Sequence, residues 1–248
     1  MSPSQSKTLL ITGAARRVGA SIARFCHQHG FRVAIHAHHS VAGLHQLVQE
    51  LNDQRPQSAH ALVGDLNDPA TPTALVQQTL EVFGQLDALV NNASSFYATP
   101  LGSIRWEQFE DLIGSNLRAP LFLAQAAQAA LTESSGAIIN IIDIHGQRPL
   151  KNHPVYSSAK AGLWMLTMSL ARELAPHIRV NGIAPGPVLW PEHPIDDHRQ
   201  QDIVNRTALK RPGSPLDIAK TALFLLNDAP YITGQIIAVD GGRSAGGY

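Results

Sequence analysis

Short apolar runs alternate with longer stretches of helical spacing along the whole chain. Lys7–Thr12 (KTLLIT) is an apolar run that ends at Gly13, and the spacing of Val18, Ile22 and Phe25 predicts a helix over Val18–His29, stopped by Gly30. Phe31–Ala37, Ala59–Gly64, Leu86–Asn91, Ala137–Asp143, Ile178–Ile183 and Gln235–Val239 are further predicted strands, each bounded by Gly, Asp, Asn or Pro. Helices are predicted for Val41–Gln54 and near residues 70–83, 103–131, 154–175 and 215–227. Strands that are apolar throughout, separated by helices, imply a parallel sheet covered on both faces. Seven of them predict a doubly wound (Rossmann-type) sheet, with ligands expected at the carboxyl ends of the strands. No linker or low-complexity stretch divides the 248 residues, so a single α/β domain over 1–248 is expected. Leu117–Leu131 and Ala159–Ala175 are apolar on more than one face, and a helix lying on a sheet needs only one apolar stripe. Contacts with other subunits are the expectation for the extra faces.

Composition narrows the function classes. Nineteen Lys+Arg balance nineteen Asp+Glu, which removes the basic excess that nucleic-acid binding normally requires. Charged residues are only 15% of the chain, which points again to surface covered by other copies. The single Cys26 excludes an internal disulfide and fits a reducing compartment. No apolar run approaches the ~18 residues of a membrane span, and the polar Met1–Lys7 lacks the character of a signal peptide. A cytoplasmic protein without membrane or nucleic-acid partners is expected.

Candidate chemistry sits at two places. Between the first strand and the first helix stands Thr12-Gly13-Ala14-Ala15-Arg16-Arg17-Val18-Gly19. Gly13 permits a tight turn, small Ala14 and Ala15 let backbone approach a pyrophosphate, and Gly19 allows close packing of helix on strand. The helix N-terminus then offers its N–H groups to phosphates. The second strand ends Ile35-His36-Ala37-His38-His39-Ser40 with no Asp or Glu to take a free ribose 2′-hydroxyl. His36, His39 and Ser40, backed by Arg16 or Arg17, suit a 2′-phosphate instead, so NADPH is expected in preference to NADH; a solvated turn is the alternative. Side chains diverge at a strand end and no carboxylate or cysteine completes a set, so no metal is expected. Asp65, closing the third strand, suits either the adenine amino group or a helix cap.

Tyr156 and Lys160 lie four apart at the start of a predicted helix and share one face. An adjacent ammonium lowers a tyrosine from its ordinary value near 10 into a useful range. Asn116 is expected to head another helix, and Asp143 precedes Tyr156 by thirteen residues. With these residues in place the chain resembles the short-chain dehydrogenase/reductase family. The matches run from Thr12-Gly13 through Asp65, Asn91-Asn92-Ala93, Asn116, Tyr156-x-x-x-Lys160 and Pro185-Gly186 to Ile232-Thr233-Gly234-Gln235 and Val239-Asp240-Gly241-Gly242. The resemblance implies hydride transfer from a nicotinamide that is also held by Asn92, Ala93, Pro185 and Gly186. Tyr156 is then the proton donor, Lys160 the ribose ligand, and Asn116 the residue that orders a relay water. It also implies a homotetramer.

Three departures from typical members surround that site: Arg17 and Ser94 replace glycines, and Asp143 replaces a serine. Together with Asn92-Ala93-Ser94-Ser95-Phe96 they resemble the pteridine reductase branch. That resemblance implies a dihydropterin (dihydrobiopterin or dihydromonapterin type) stacked on Phe96, held by Arg17 and Ser94, and protonated with help from Asp143. Each residue has a plainer alternative: Arg17 as a phosphate ligand only, Phe96 as core packing, Asp143 as a cap for local N–H groups. The proline-rich 185–202 is expected to be an irregular substrate lid, with Leu189 and Trp190 lining the pocket or merely anchoring the loop. A carbonyl reductase of ketones or 3-oxoacyl groups is the alternative enzyme, and a non-catalytic nucleotide-binding scaffold the alternative outside enzymes.

Overall fold

The computed structural model describes residues 6–188 and 197–245, so the expected pocket residues Leu189 and Trp190 lie outside the described residues. Seven strands form one sheet: β1 (Thr8–Ile11), β2 (Arg32–Ala37), β3 (Ala59–Val63), β4 (Ala88–Asn91), β5 (Ala137–Ile141), β6 (Arg179–Pro185) and β7 (Ile236–Val239). Their order is β3-β2-β1-β4-β5-β6-β7 and every pairing is parallel. The helices are α1 (Arg17–Gln28), α2 (Val41–Gln54), α3 (Thr71–Phe83), α4 (Trp106–Ile113), α5 (Ala119–Glu133), α6 (Pro154–Glu173), α7 (Asp197–Asn205) and α8 (Pro215–Asn227).

Strand alternation explains why both faces are covered. Leu9 and Ile11 of β1 point into a core closed by α1, α2 and α8, through Ile22, Leu44 and Ile218. Leu10, between them, points into the opposite core beside Leu75 of α3 and Leu123 of α5. Both layers are apolar and buried, so the period-2 pattern vanishes from the sequence and only a continuous apolar run remains. Chain direction across the sheet reverses between β1 and β4, which opens a crevice at their carboxyl ends. No helix among the described residues is long and apolar enough to cross a membrane.

The structure differs from the sequence expectation in three places. β5 ends at Ile141, because Asp143, extended, caps the 3₁₀ turn Ile144–Gly146 by accepting the His145 N–H at 2.8 Å. The last part of the expected irregular lid is helical, since α7 starts at Asp197; its sequence, DHRQQDIVN, carries no apolar stripe by which to find it. Asn116 does not head a helix. It sits in a π turn, Gly114–Arg118, that joins α4 to α5. Its Nδ2 donates to the Leu112 carbonyl at 3.0 Å, inside that wide turn. The doubly apolar helices do leave large side chains uncovered: Leu121 and Phe122 on α5, and Met165 on α6, which is 62% exposed.

Candidate active site

A cleft of about 480 Å³ lies at the carboxyl ends of β1, β2 and β4. Gly13 adopts φ +61°, and a Cβ there would lie 2.6 Å from the Ala93 Cα. A Cβ on Gly19 would lie 2.5 Å from the Asn92 Nδ2 and 2.7 Å from the Ala14 Cα. Both glycines are therefore required by backbone approach. Asn92 explains the tightness, since its Nδ2 donates to the carbonyls of Thr12 and Gly13, each at 2.9 Å. The turn it pins delivers the N-terminus of α1 into the cleft with no capping side chain and no acidic residue in its first turn. Backbone N–H groups so presented fit a phosphate. Arg16, Arg17, His38, His39, Ser40, Asp65, Ala93 and Ser94 line the same cleft.

The side chains expected to react converge beside it. The Tyr156 hydroxyl donates to Asp143 Oδ2 at 2.7 Å. Burial, then the Asp143 charge, holds the phenol well above its ordinary value near 10, with a Ser94 hydrogen bond opposing. Tyr156 therefore stays protonated at neutral pH. The Lys160 Nζ donates to the Ile141 carbonyl at 3.0 Å and lies 5.7 Å from the Tyr156 ring centre. Burial pushes Lys160 down to about 8 against the pull of Asp143. Ser94 links the two ends: it lines the cleft, and its hydroxyl donates to the Asn116 Oδ1 at 2.7 Å. Phe96, half exposed, meets Tyr156 edge-on at 4.8 Å and stacks on His153 at 5.0 Å.

A glycine turn on an uncapped helix, a reversal of strand order and a Tyr–Lys pair beside them are one constellation, and the comparisons decide its lineage. The family profile described as Enoyl-(Acyl carrier protein) reductase matches residues 13–244. Pteridine reductase 1 of Leishmania tarentolae is 37% identical over 276 aligned residues, covering 95% of each chain. The chain belongs to the short-chain dehydrogenase/reductase family. The 3-oxoacyl-[acyl-carrier-protein] reductase FabG of Staphylococcus aureus is 34% identical over 241 residues, covering 96% of this chain and 98% of that one. Among solved structures, a blue fluorescent protein from a metagenomic library in complex with NADPH superposes with a TM-score of 0.89 at 34% identity, covering 96% and 97% of the two chains.

This short-chain dehydrogenase/reductase keeps most of its expected site residues together, with corrections. Gly13, Arg16, Arg17, Gly19, His39, Ser40, Asp65, Asn92, Ala93 and Ser94 all line the cleft. His36 lines it too but is only 1% exposed, and its ring is spent: Nδ1 accepts the Gly13 N–H at 3.4 Å and Nε2 donates to the Gly64 carbonyl at 3.0 Å. Both bonds require the neutral ring, which burial favours, so His36 braces the turn and does not meet a phosphate as a cation. Asp65 accepts the Asn67 N–H at 2.9 Å; it closes a local turn and caps no helix. The expected lowering of Tyr156 by Lys160 is reversed, because burial disfavours the phenolate and a carboxylate faces the phenol, while the ammonium faces the Ile141 carbonyl. Gly186 lies at the end of β6, its N–H on the Val239 carbonyl at 3.0 Å, and a Cβ there would strike Asp240. Neither it nor Pro185 is in the cleft lining.

Among the residues that escaped the sequence reading, His38, Asp111 and His153 stand out. His38 lines the cleft beside His39, and the run of histidines was its signal. Asp111 also lines it, accepting from Asn67, Ser95 and Tyr97 with no motif to announce it. His153, one helical turn before Tyr156, covers one face of Phe96 and could have been found by that spacing.

Proposed function

We propose that the protein is an NADPH-dependent pteridine reductase that converts a dihydropterin to a tetrahydropterin. The observation that carries this reading is the Tyr156–Asp143 contact. Bound in the cleft, a reduced nicotinamide supplies a hydride. In a dihydropterin the acceptor is a ring C=N bond, whose carbon takes the hydride and whose nitrogen takes a proton. Tyr156, kept protonated by burial and by Asp143, is the proton donor. Asp143 holds the phenol at 2.7 Å and places negative charge beside the nitrogen as it becomes cationic. In ketone reduction the developing charge is an oxyanion, and the same carboxylate repels it. Unit charges ~4 Å apart interact by about 4 kcal/mol at an effective dielectric of ~20, favourably with the cationic nitrogen and unfavourably with the oxyanion, so the charge at position 143 sorts the two substrate classes. Phe96 offers one open face for stacking, since His153 covers the other. Lys160 orients the cofactor ribose, and Ser94 with Asn116 completes the proton path. The Leishmania relative's name favours this reading.

The second reading, reduction of a 3-oxoacyl or ketone substrate, is favoured by the similarity to FabG. NADPH oxidation measured with 7,8-dihydropterins and with 3-oxoacyl thioesters and ketones separates the two. Turnover of the dihydropterins with kcat/KM at least tenfold above that of the carbonyls is expected; fast carbonyl turnover with no pterin turnover overturns the assignment. The exposed faces of α5 and α6 are proposed to be covered by other copies in a homotetramer, which sedimentation equilibrium reads as four times the 26.7 kDa chain mass.

Arg17 offers a test of its own. It adopts φ +56°, a left-handed conformation that costs a non-glycine residue about 1–2 kcal/mol. Glycine is the unstrained residue there, so the arginine is retained against stability at the mouth of the cleft. Arg17→Gly is expected to raise Tm by about 2 °C and to raise KM for dihydropterin about tenfold or more. Unchanged kinetics would reduce Arg17 to a filler. The pH profile of kcat/KM is a second test. Lys160, at about 8, loses its charge well before Tyr156 does, so activity is expected to fall on the alkaline side with an apparent pKa near 8. A limb above pH 10 would assign the loss to the tyrosine.

A further inference from the structure

Cofactors that carry a 2′-phosphate are commonly held by fixed cations, yet the end of β2 carries imidazoles. His38 and His39 are both exposed into the cleft, their ring centres 3.6 Å apart at 30°. Ser40 stands beside them at the head of α2, where its side chain makes no capping hydrogen bond. The charged and titratable groups around this pair are few: Asp65, whose Oδ1 is 3.8 Å from the His38 Nδ1; buried His36; Arg16 and Arg17 on the facing turn; and Asp111 further along the lining. Arg16 and Arg17 are the fixed cations among the described lining residues, and they belong to the phosphate-binding turn at α1.

We infer that His38 and His39 make discrimination between phosphorylated and unphosphorylated cofactor depend on proton uptake. The inference rests on the NADPH reading above and goes beyond it. Two imidazolium rings 3.6 Å apart would repel each other. A 2′-phosphate dianion set against both rings and the Ser40 hydroxyl reverses that balance and favours the doubly protonated pair. Unphosphorylated ribose brings no such charge. Binding of the phosphorylated cofactor therefore takes up protons near neutral pH, and its advantage is lost as pH rises past the ordinary imidazole range of ~6.5. The second ionisation of the phosphate, near pH ~6, cannot imitate this, because it strengthens binding as pH rises.

The test is binding of NADP+ and of NAD+ to the full chain, by calorimetry from pH 6 to 8.5, in two buffers of different ionisation enthalpy. The ratio of the two affinities is expected to fall about tenfold across that range, one unit of pKa displacement being a factor of ten. NADP+ is expected to take up protons at pH 7, and NAD+ to take up none. The His38→Gln/His39→Gln double variant is expected to flatten the ratio, while His39→Arg keeps it high at pH 8.5. A preference for NADP+ that is flat in pH overturns the inference and leaves the arginines as the discriminating groups. No preference at any pH overturns the NADPH reading itself, a different result. A folded double variant, checked by its circular dichroism, that keeps the full pH dependence overturns the role of these two rings.

Discussion

Replacing Asp143 with asparagine is expected to lower kcat for a dihydropterin by about 10²–10³-fold while the dissociation constant of NADPH changes less than twofold. The magnitude separates two accounts of this carboxylate. Asparagine has the same shape and keeps one oxygen to accept the Tyr156 hydroxyl at the 2.7 Å contact, while its amide nitrogen replaces the oxygen that accepts the His145 N–H, so the geometry at the phenol survives at the cost of one local hydrogen bond. A lost neutral hydrogen bond is worth about 0.5–1.5 kcal/mol, hardly tenfold. Loss of a charge near a cationic reacting nitrogen is worth about 4 kcal/mol at an effective dielectric of ~20, or close to 10³ in rate. Single-turnover rates with saturating NADPH make the measurement. A variant within a few-fold of the parent would mean that Asp143 acts only as a cap. Asp143→Ser extends the test: it removes the charge but restores a hydrogen-bond donor, and some ketone turnover should emerge as pterin turnover falls.

Tyr156→Phe should be the more damaging change, with kcat/KM reduced about 10³–10⁴-fold, at the upper end of what one general acid contributes. The ring stays and with it the edge contact to Phe96, so substrate stacking persists and the loss falls on kcat. The variant should also be about 1–3 kcal/mol less stable, since Asp143 loses its phenolic partner and is left half-buried with the His145 N–H alone. Retention of substantial activity would revive the reading of a scaffold whose nucleotide binding is its purpose.

The sheet was legible because seven apolar runs, each closed by a turn residue, can be satisfied only by a sheet buried on both faces. Its parallel sense followed from the βα alternation, whereas the strand order came only from the structure. The cleft was legible as far as backbone demands are written in residue type: Gly13 and Gly19 could be read because no Cβ fits where they stand. His36 was misread because burial decides its role. The residue that looks like one more histidine at a strand end is turned inward, and its two ring nitrogens are consumed between Gly13 and Gly64. The Lys160–Tyr156 relation failed for a similar reason. Helical spacing gives a shared face but not which atom each side chain addresses, and here the ammonium turns to the end of β5. The π turn at Asn116 left no trace, since GSNLR contains nothing that excludes an ordinary helical turn. The polar α7 lacked periodicity altogether.

The reversal of strand order between β1 and β4 divides the molecule's work along the chain. The turn and strand ends that would grip the cofactor's phosphates come from residues 13–93, whereas Asp143, Tyr156 and Lys160 lie beyond. Ser94 is the seam. Such a layout lets a lineage exchange what is reduced while leaving the reductant alone, by editing a few side chains at or beyond the seam, with Arg17 as the one proposed substrate contact that precedes it. Whole-chain identity is then a poor guide to substrate, because it scores the sheet and its helices and barely registers those few positions. Near-equal likeness, 37% and 34%, to relatives named for a pterin and for an acyl carrier protein is what that division produces. Sorting such relatives calls for reading the groups within reach of the phenol, position by position.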